Sequence, residues 1–154
     1  MPPALKLNAH DEEDLAVLSA AMQDSLVRVG DMIYLPKRRR FALVGNRFMW
    51  EINSADSNRL PEEAQRFKHR IRAGLHFDGV MAVKTQNIVM DRKQAVLDLL
   101  TISYESGNDG GGEITLVFAG GGALLLEVEC IDAALSDMGA PWVTPNLPDH
   151  GADE

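Results

Sequence analysis

The sequence predicts a single α+β domain, in which an antiparallel sheet of seven strands lies between an N-terminal and a C-terminal helix. Between Ser25 and Cys130, apolar and polar residues alternate over short segments, which is the period of half-buried strands. Turn signals rich in Gly, Asp and Asn separate these segments. Apolar residues at helical spacing precede and follow them. The 154 residues are close to the size of one domain.

The first helix is predicted after a run of four acidic residues that begins at Asp11. Negative side chains favour a helix N-terminus because of its partial positive charge. Leu15, Leu18 and Met22 follow at steps of three and four residues and form one apolar stripe. We expect either Asn8 or Asp11 to cap this helix.

The next two segments predict a pair of strands. The first strand runs from Ser25 to Leu35 with a bulge or bend at Gly30, and Pro36 ends it. The second runs from Phe41 to Ile52. Its alternation predicts an inward face that consists of Ala42, Val44, Phe48, Trp50 and Ile52. Arg47 then lies on the opposite face.

The third strand has one apolar face and one polar face. The apolar face consists of Ile71, Ala73, Leu75 and Phe77, and the polar face consists of Arg70, Arg72, His76 and Asp78. Asp78-Gly79 favours the positive φ angles of a tight type I′ turn. We therefore expect a hairpin between this strand and a fourth strand at Val80–Val83.

Three further strands are predicted at Ala95–Glu105, Ile114–Phe118 and Leu124–Cys130. Glycine-rich turns separate them, so they are expected to form consecutive hairpins. Cys130 continues the apolar face of the last strand, and we expect it to be buried.

A second helix is predicted from the spacing of Ile131, Leu135 and Met138. Gly139 suits a helix C-terminus, and Pro141 prevents continuation. Residues 1–143 are then one domain. Residues 144–154 are expected to be a disordered tail, because they contain few apolar residues to bury.

The order of these elements resembles that of the pleckstrin-homology-like (PH-like) superfold, with an extra N-terminal helix. The resemblance implies a curled, antiparallel barrel whose open end is closed by the C-terminal helix. Such a superfold carries many functions and names no ligand.

Several short strings spread over most of the chain are shared with a known family. They are Ser19-Ala20 with Gln23-Asp24, Arg40–Leu43, Asn46–Phe48 with Trp50-Glu51, Gly74–Asp78, Phe118–Gly122 and Val128–Ile131. On these strings the chain resembles a bacterial family known only as a domain of unknown function, number 2948 in its series. This resemblance implies no activity, cofactor or catalytic residue.

The charge is distributed unevenly along the chain. The net charge is −8, which disfavours nucleic acid and anionic membranes as partners. All 15 Lys and Arg residues lie at or before Lys93, with 12 of the 23 acidic residues. The other 11 acidic residues follow without any base. Either the two parts of the fold attract each other, or a basic face binds an anionic partner.

No motif in the sequence indicates a cofactor or a bound metal. A nucleophile elbow, a paired Cys-x-x-Cys and a His-Glu-x-x-His helix are all absent. The glycine runs precede strands, whereas phosphate-binding loops precede helices. His76 and Asp78 leave open a small enzyme or a metal site, although that site needs a third group. One cysteine and no signal peptide predict a cytoplasmic protein.

The positive candidate for a site is the basic loop Lys37–Arg40 between the first two predicted strands. Arginine binds carboxylates and phosphates through a planar, two-pronged guanidinium group. Loops at this position of PH-like domains often contact anionic ligands, and the resemblance implies the same here. Arg47, Arg70 and Arg72 are expected to extend this surface.

These residues predict a non-enzymatic binding or scaffold domain that recognises an acidic protein or another anionic partner. Self-association through the acidic half of a second copy is one form of this hypothesis. Binding of anionic lipid or nucleic acid is an alternative, although aromatic residues do not alternate with the basic ones.

Overall fold

The computed structural model describes residues 4–50, 67–108 and 110–145. These residues form one α-helix, α1 (Glu12–Met22), a short 3-10 turn (Pro36–Arg38) and nine strands. The strands are β1 (Lys6–Ala9), β2 (Ser25–Leu35), β3 (Arg40–Phe48), β4 (Phe67–Asp78), β5 (Val80–Gln86), β6 (Val96–Ser106), β7 (Gly112–Phe118), β8 (Ala123–Val128) and β9 (Ala133–Pro145).

The predicted N-terminal helix is confirmed as α1. Asp11 is its N-cap, and its side chain accepts a hydrogen bond from the backbone N–H of Asp14 at 2.7 Å. Leu15, Leu18 and Met22 are buried as the stripe predicts. They pack on the sheet in a single apolar cluster that also contains Phe77 and Phe118. No helix in the described ranges has both the length and the apolarity to cross a bilayer.

The prediction of a seven-stranded PH-like barrel is wrong. The nine described strands form one antiparallel sheet in the order β1-β9-β4-β3-β2-β6-β7-β8-β5. Strands β1 and β5 are its two edges, and no ladder among the described residues joins them. The sheet is therefore open, and the two strands that the sequence did not assign, β1 and β9, are neighbours at one side of it.

The prediction of a C-terminal helix is also wrong, because this segment is strand β9. It pairs with β4 on one side and with the short edge strand β1 on the other. Ala133 and Leu135 face the core, and Ala134 and Ser136, which alternate with them, are compatible with either period. Strand β9 has a ladder with β4 along most of its length and one with β1 at its start. A helix at this position would leave β1 and one edge of β4 without the hydrogen-bond partners that β9 supplies.

Gly139 has a positive φ of 72°, but it lies in a bulge of β9 and not at a helix end. Met138 is opposite Arg72, whereas Trp142 is opposite Arg70, so three residues of β9 face one residue of β4. Strand β9 also includes residues 144 and 145 of the expected tail. Residues 146–154 lie outside the described residues.

The hairpin predicted at Asp78-Gly79 does not form. Gly79 has the expected positive φ of 72°, but β5 leaves β4 there and pairs with β8 at the far edge of the sheet. The hairpins β6–β7 and β7–β8 are confirmed. A turn signal therefore predicted the local backbone correctly in each case, whereas the partner of β5 depended on a distant strand.

The predicted inward face of the second strand is wrong by one residue. In β3 the buried positions are Phe41, Leu43, Gly45, Arg47 and Phe48, whereas Ala42 and Val44 are half-buried on the outer face. Of the predicted inward residues of β3, the burial of Phe48 is confirmed. Leu43 is opposite Leu75 of β4, which is also buried, so both strands place their core residues on the same side. The expected burial of Cys130 is wrong too, since this residue is exposed.

Candidate functional site

The basic loop lies where β2 turns into β3. Pro36 begins the 3-10 turn, and Arg39 ends it in the left-handed region with a φ of 51°. The backbone N–H of Arg39 donates to the carbonyl of Pro36 at 3.1 Å. This tight turn places Lys37 and Arg38 at its tip, where both residues are exposed.

The other two cations of the loop are paired within the molecule. Arg39 Nη1 lies 3.0 Å from Glu129 Oε1, beyond the end of β8. Arg40 binds Asp78 with two hydrogen bonds, from Nε to Oδ1 at 2.7 Å and from Nη2 to Oδ2 at 3.3 Å. The bond to Asp78 raises the pKa of Arg40. Arg39 and Arg40 therefore fasten the loop to the sheet.

Arg47 is fully buried and takes part in the interior of the fold. Its guanidinium donates from Nε and Nη2 to the two carboxylate oxygens of Asp137, both at 3.0 Å. The side chains of Arg47 and Asp137 are 0% and 1% exposed. Asp137 Oδ2 also accepts the backbone N–H of Leu5 at 2.9 Å. This pair joins β3, β9 and the segment before β1.

Arg70 is also buried, with 5% of its surface exposed. Its Nη1 donates to the carbonyls of Asn46 at 3.1 Å and Asp24 at 3.2 Å. Its guanidinium carbon lies 5.4 Å from the centre of the Phe48 ring, within cation–π range. Burial lowers the pKa of Arg70. Neither Arg70 nor Arg47 is available to a partner at the surface.

Arg72 is exposed on the outer face of β4. It lines a groove of about 290 Å³ together with Arg28 of β2, which is not among the predicted site residues. The signal for Arg28 was its place beside the predicted bulge at Gly30, where a strand bends and redirects a side chain. The predicted cations therefore occupy four different places. Two are exposed at the tip of the loop, two are in ion pairs that hold the loop, two are buried and one lines the groove.

His76 and Asp78 lie on the outer face of β4, as predicted. His76 Nε2 is 3.6 Å from Asp78 Oδ2, and their side chains are 35% and 30% exposed. The same carboxylate is bound by Arg40. Within the described ranges, no group of three or more His, Cys, Asp or Glu side chains is arranged to hold a metal ion.

A row of glutamates crosses the other end of the sheet. Glu105, Glu113 and Glu127 are directly opposite one another on β6, β7 and β8. With Glu129 they line an open groove of about 670 Å³ beside a glycine-rich turn. The sequence predicted an acidic second half, but the row itself follows from the strand register.

Replacing Glu113 with glutamine is expected to raise the free energy of unfolding. Like charges directly opposite each other destabilise a sheet, and cross-strand pairs contribute about 0.2–1 kcal/mol, so we expect a gain of that order. Chemical denaturation at low salt measures it, and the gain should shrink as salt increases. Glu129→Gln, which removes the partner of Arg39, serves as the control and should give no gain. A loss of stability for Glu113→Gln would contradict repulsion in the row.

Comparison with known proteins identifies one family. A family model described as "Protein of unknown function (DUF2948)" matches residues 5–150. This span includes the basic loop, the buried Arg47–Asp137 pair and the groove at Arg72. Neither the curated proteins nor the solved structures yield a match.

Proposed function

The chain belongs to the DUF2948 family, a family of unknown function, and on this premise we propose that it is a non-enzymatic binding domain for an acidic protein partner. One observation carries the proposal: Lys37 and Arg38 are exposed at the tip of an anchored turn. No carboxylate of the described residues pairs with either side chain, whereas Arg39 and Arg40 each have one.

The turn supports binding because it is held in place before any partner arrives. Besides the ion pairs of Arg39 and Arg40, the carbonyl of Arg39 accepts the backbone N–H of Val80 at 2.8 Å. Tyr34, near the end of β2, donates its hydroxyl to the carbonyl of Val80 at 2.8 Å. A backbone that is already ordered loses less conformational entropy on association, which favours affinity.

The charge distribution favours a protein over a polyanion. Two exposed cations form a small patch, and the net charge of −8 opposes a long run of phosphates. A carboxylate pair on an acidic protein matches two guanidinium or ammonium groups at one tip. We place the protein in the cytoplasm because its single cysteine cannot form an intrachain disulfide. We place it in bacteria because its short sequence strings resemble those of a bacterial family.

The double variant Lys37→Ser/Arg38→Ser is expected to lose the partner without losing the fold. Affinity purification from native cells, followed by mass spectrometry, should recover an acidic protein with the wild type and reduce it at least tenfold with this variant. Arg39 and Arg40 are left intact because their ion pairs hold the loop. Arg92→Ser/Lys93→Ser is the matched control, because it removes two exposed, adjacent cations from another turn.

If the tip variant recovers the partner as well as the wild type does, the tip is rejected as the contact. Recovery that falls equally with both would show that only overall charge matters. Retention of the wild type on heparin or on anionic vesicles at physiological salt, lost in the tip variant, would instead support the polyanion alternative.

A further inference from the structure

The sheet has a gap between β2 and β3 that comes from a large bulge. Val27 is opposite Gly45, but Met32 is already opposite Leu43, so four residues of β2 face Val44 alone. In this segment β2 turns toward the start of β6: the backbone N–H groups of residues 29 and 30 donate to the carbonyls of residues 95 and 93, both at 2.9 Å. The chain therefore leaves β3 and opens a groove on the outer face.

The groove is lined by charged and amide groups together with three apolar side chains. Its lining residues are Leu26, Arg28, Asp31, Val44, Gly45, Asn46, Arg72 and Val96. Asn46 is opposite both Leu26 and Arg72, so the amide lies on the same face as the guanidinium of Arg72. Two guanidinium groups and one amide can donate hydrogen bonds to a ligand, and one carboxylate lies among them.

Arg28 and Arg72 differ from the arginines whose ion pairs help to hold the fold together. Arg39, Arg40 and Arg47 each have a carboxylate oxygen at 3.0 Å or less. No ion pair within the described ranges involves Arg28 or Arg72, and Arg28 has a long hydrogen bond of 3.4 Å to Gln94. Two like charges that line one groove repel each other, and an incoming carboxylate relieves this repulsion while accepting their hydrogen bonds.

Three large apolar side chains are exposed on strands that form the groove or lie next to it. Ile33, Val96 and Met138 are 54%, 55% and 45% exposed, and they belong to β2, β6 and β9. Met138 is directly opposite Arg72. A free small carboxylate would fill only the groove, whereas an extended peptide with aliphatic neighbours would also cover these side chains.

We propose that this groove is a second binding site, separate from the Lys37–Arg38 tip, which takes an acidic side chain from an extended segment of a protein partner. Arg28 and Arg72 hold the carboxylate, Asn46 donates to it or to the adjacent peptide, and Leu26, Val44 and Val96 contact the aliphatic neighbours. The inference does not rest on the role of the tip, because the two sites share no residue.

A titration of the ¹⁵N-labelled full chain tests the proposal by NMR. The probe is the acetylated and amidated peptide Ser-Leu-Glu-Leu-Ser, with Ser-Leu-Gln-Leu-Ser as its uncharged counterpart. We expect saturable shifts at the Nε–H groups of Arg28 and Arg72 and at the side-chain amide of Asn46 with the Glu peptide, and at least tenfold weaker binding of the Gln peptide. Failure to shift these groups, or equal binding of both peptides, would overturn the proposal.

Variants separate the groove from general charge effects. Arg28→Gln and Arg72→Gln should each weaken the Glu peptide at least tenfold, whereas Arg92→Gln, an exposed arginine elsewhere, should not. Asp31→Asn should tighten binding severalfold, because it removes the one competing carboxylate from the lining. A Kd for the Glu peptide that is unchanged in Arg72→Gln, or that is higher in Asp31→Asn than in the wild type, would reject the assignment.

Two further measurements identify the source of the carboxylate and distinguish binding in the groove from binding at the Lys37–Arg38 tip. Hexanoate should bind at least tenfold more weakly than the Glu peptide, and equal affinity would point to a free small acid and overturn the peptide assignment. Lys37→Ser/Arg38→Ser should leave the titration unchanged. Loss of peptide binding in that variant would place the site at the tip and not in the groove.

Discussion

Replacing Asp137 with alanine is expected to destabilise the protein by about 3–5 kcal/mol, because it leaves the guanidinium of Arg47 buried without its carboxylate partner. Arg47 is 0% exposed, and the two hydrogen bonds of the pair are both 3.0 Å long. The backbone N–H of Leu5 loses its acceptor as well. We therefore expect the edge strand β1 to detach before the rest of the sheet unfolds, so that unfolding is no longer a single cooperative transition.

Urea denaturation followed by circular dichroism measures this effect. The control is the double variant Arg47→Met/Asp137→Leu, which removes both charges and fills a similar volume. It should regain most of the lost stability, because replacing a buried ion pair by apolar side chains is often neutral. A loss below about 1 kcal/mol for Asp137→Ala would fall in the range of exposed ion pairs and would contradict the burial of this pair.

Replacing Arg70 with methionine is expected to cost about 2–3 kcal/mol, because hydrogen bonds from a charged group contribute about 1.5–3 kcal/mol and two half-buried carbonyls lose this donor. These carbonyls belong to Asp24 and Asn46. Methionine keeps apolar atoms against Phe48, so the change removes the two hydrogen bonds and the cation–π contact without opening a large cavity. Chemical denaturation measures the cost, and the ring resonances of Phe48 report whether the packing persists.

Arg72→Met is the matched control, since it changes the same residue type two positions along the same strand. Arg72 is exposed, and we expect its replacement to change the free energy of unfolding by no more than about 0.5 kcal/mol. A change of no more than about 0.5 kcal/mol at both positions would mean that both arginines are at the surface, as the sequence pattern predicts. The comparison thus tests the different burial of Arg70 and Arg72, which are opposite the two ends of the bulge in β9.

Helix α1 and the hairpins β6–β7 and β7–β8 were predictable because their signals are local. An acidic N-terminal turn, a stripe at helical spacing and glycines before alternating segments act within a few residues. Strand β9 was not predictable in the same way. The spacing of Ile131, Leu135 and Met138 matches a helix, and only the ladders with β1 and β4 decide for a strand.

The candidate site shows the same division. The basic loop and its exposure follow from Pro36 and four adjacent cations, which local chemistry determines. The partners of Arg39 and Arg47 lie 90 residues further along the chain in each case, so no local pattern shows that one is anchored and the other buried. The groove depends on Arg28 and Arg72 coming together across β3, which required the register of three strands.

The sequence by itself determined the sheet-rich class, the first helix, the turns and the excess of cations in one half of the chain. These properties depend on side-chain period, on glycine conformations and on charge, all of which act over short distances. Only the tertiary structure decided which strands pair, which strands form the two edges of the sheet and which arginines remain at the surface. A strand shifted by one residue turns every side chain to the other face, and hydrogen bonds between distant segments set that register.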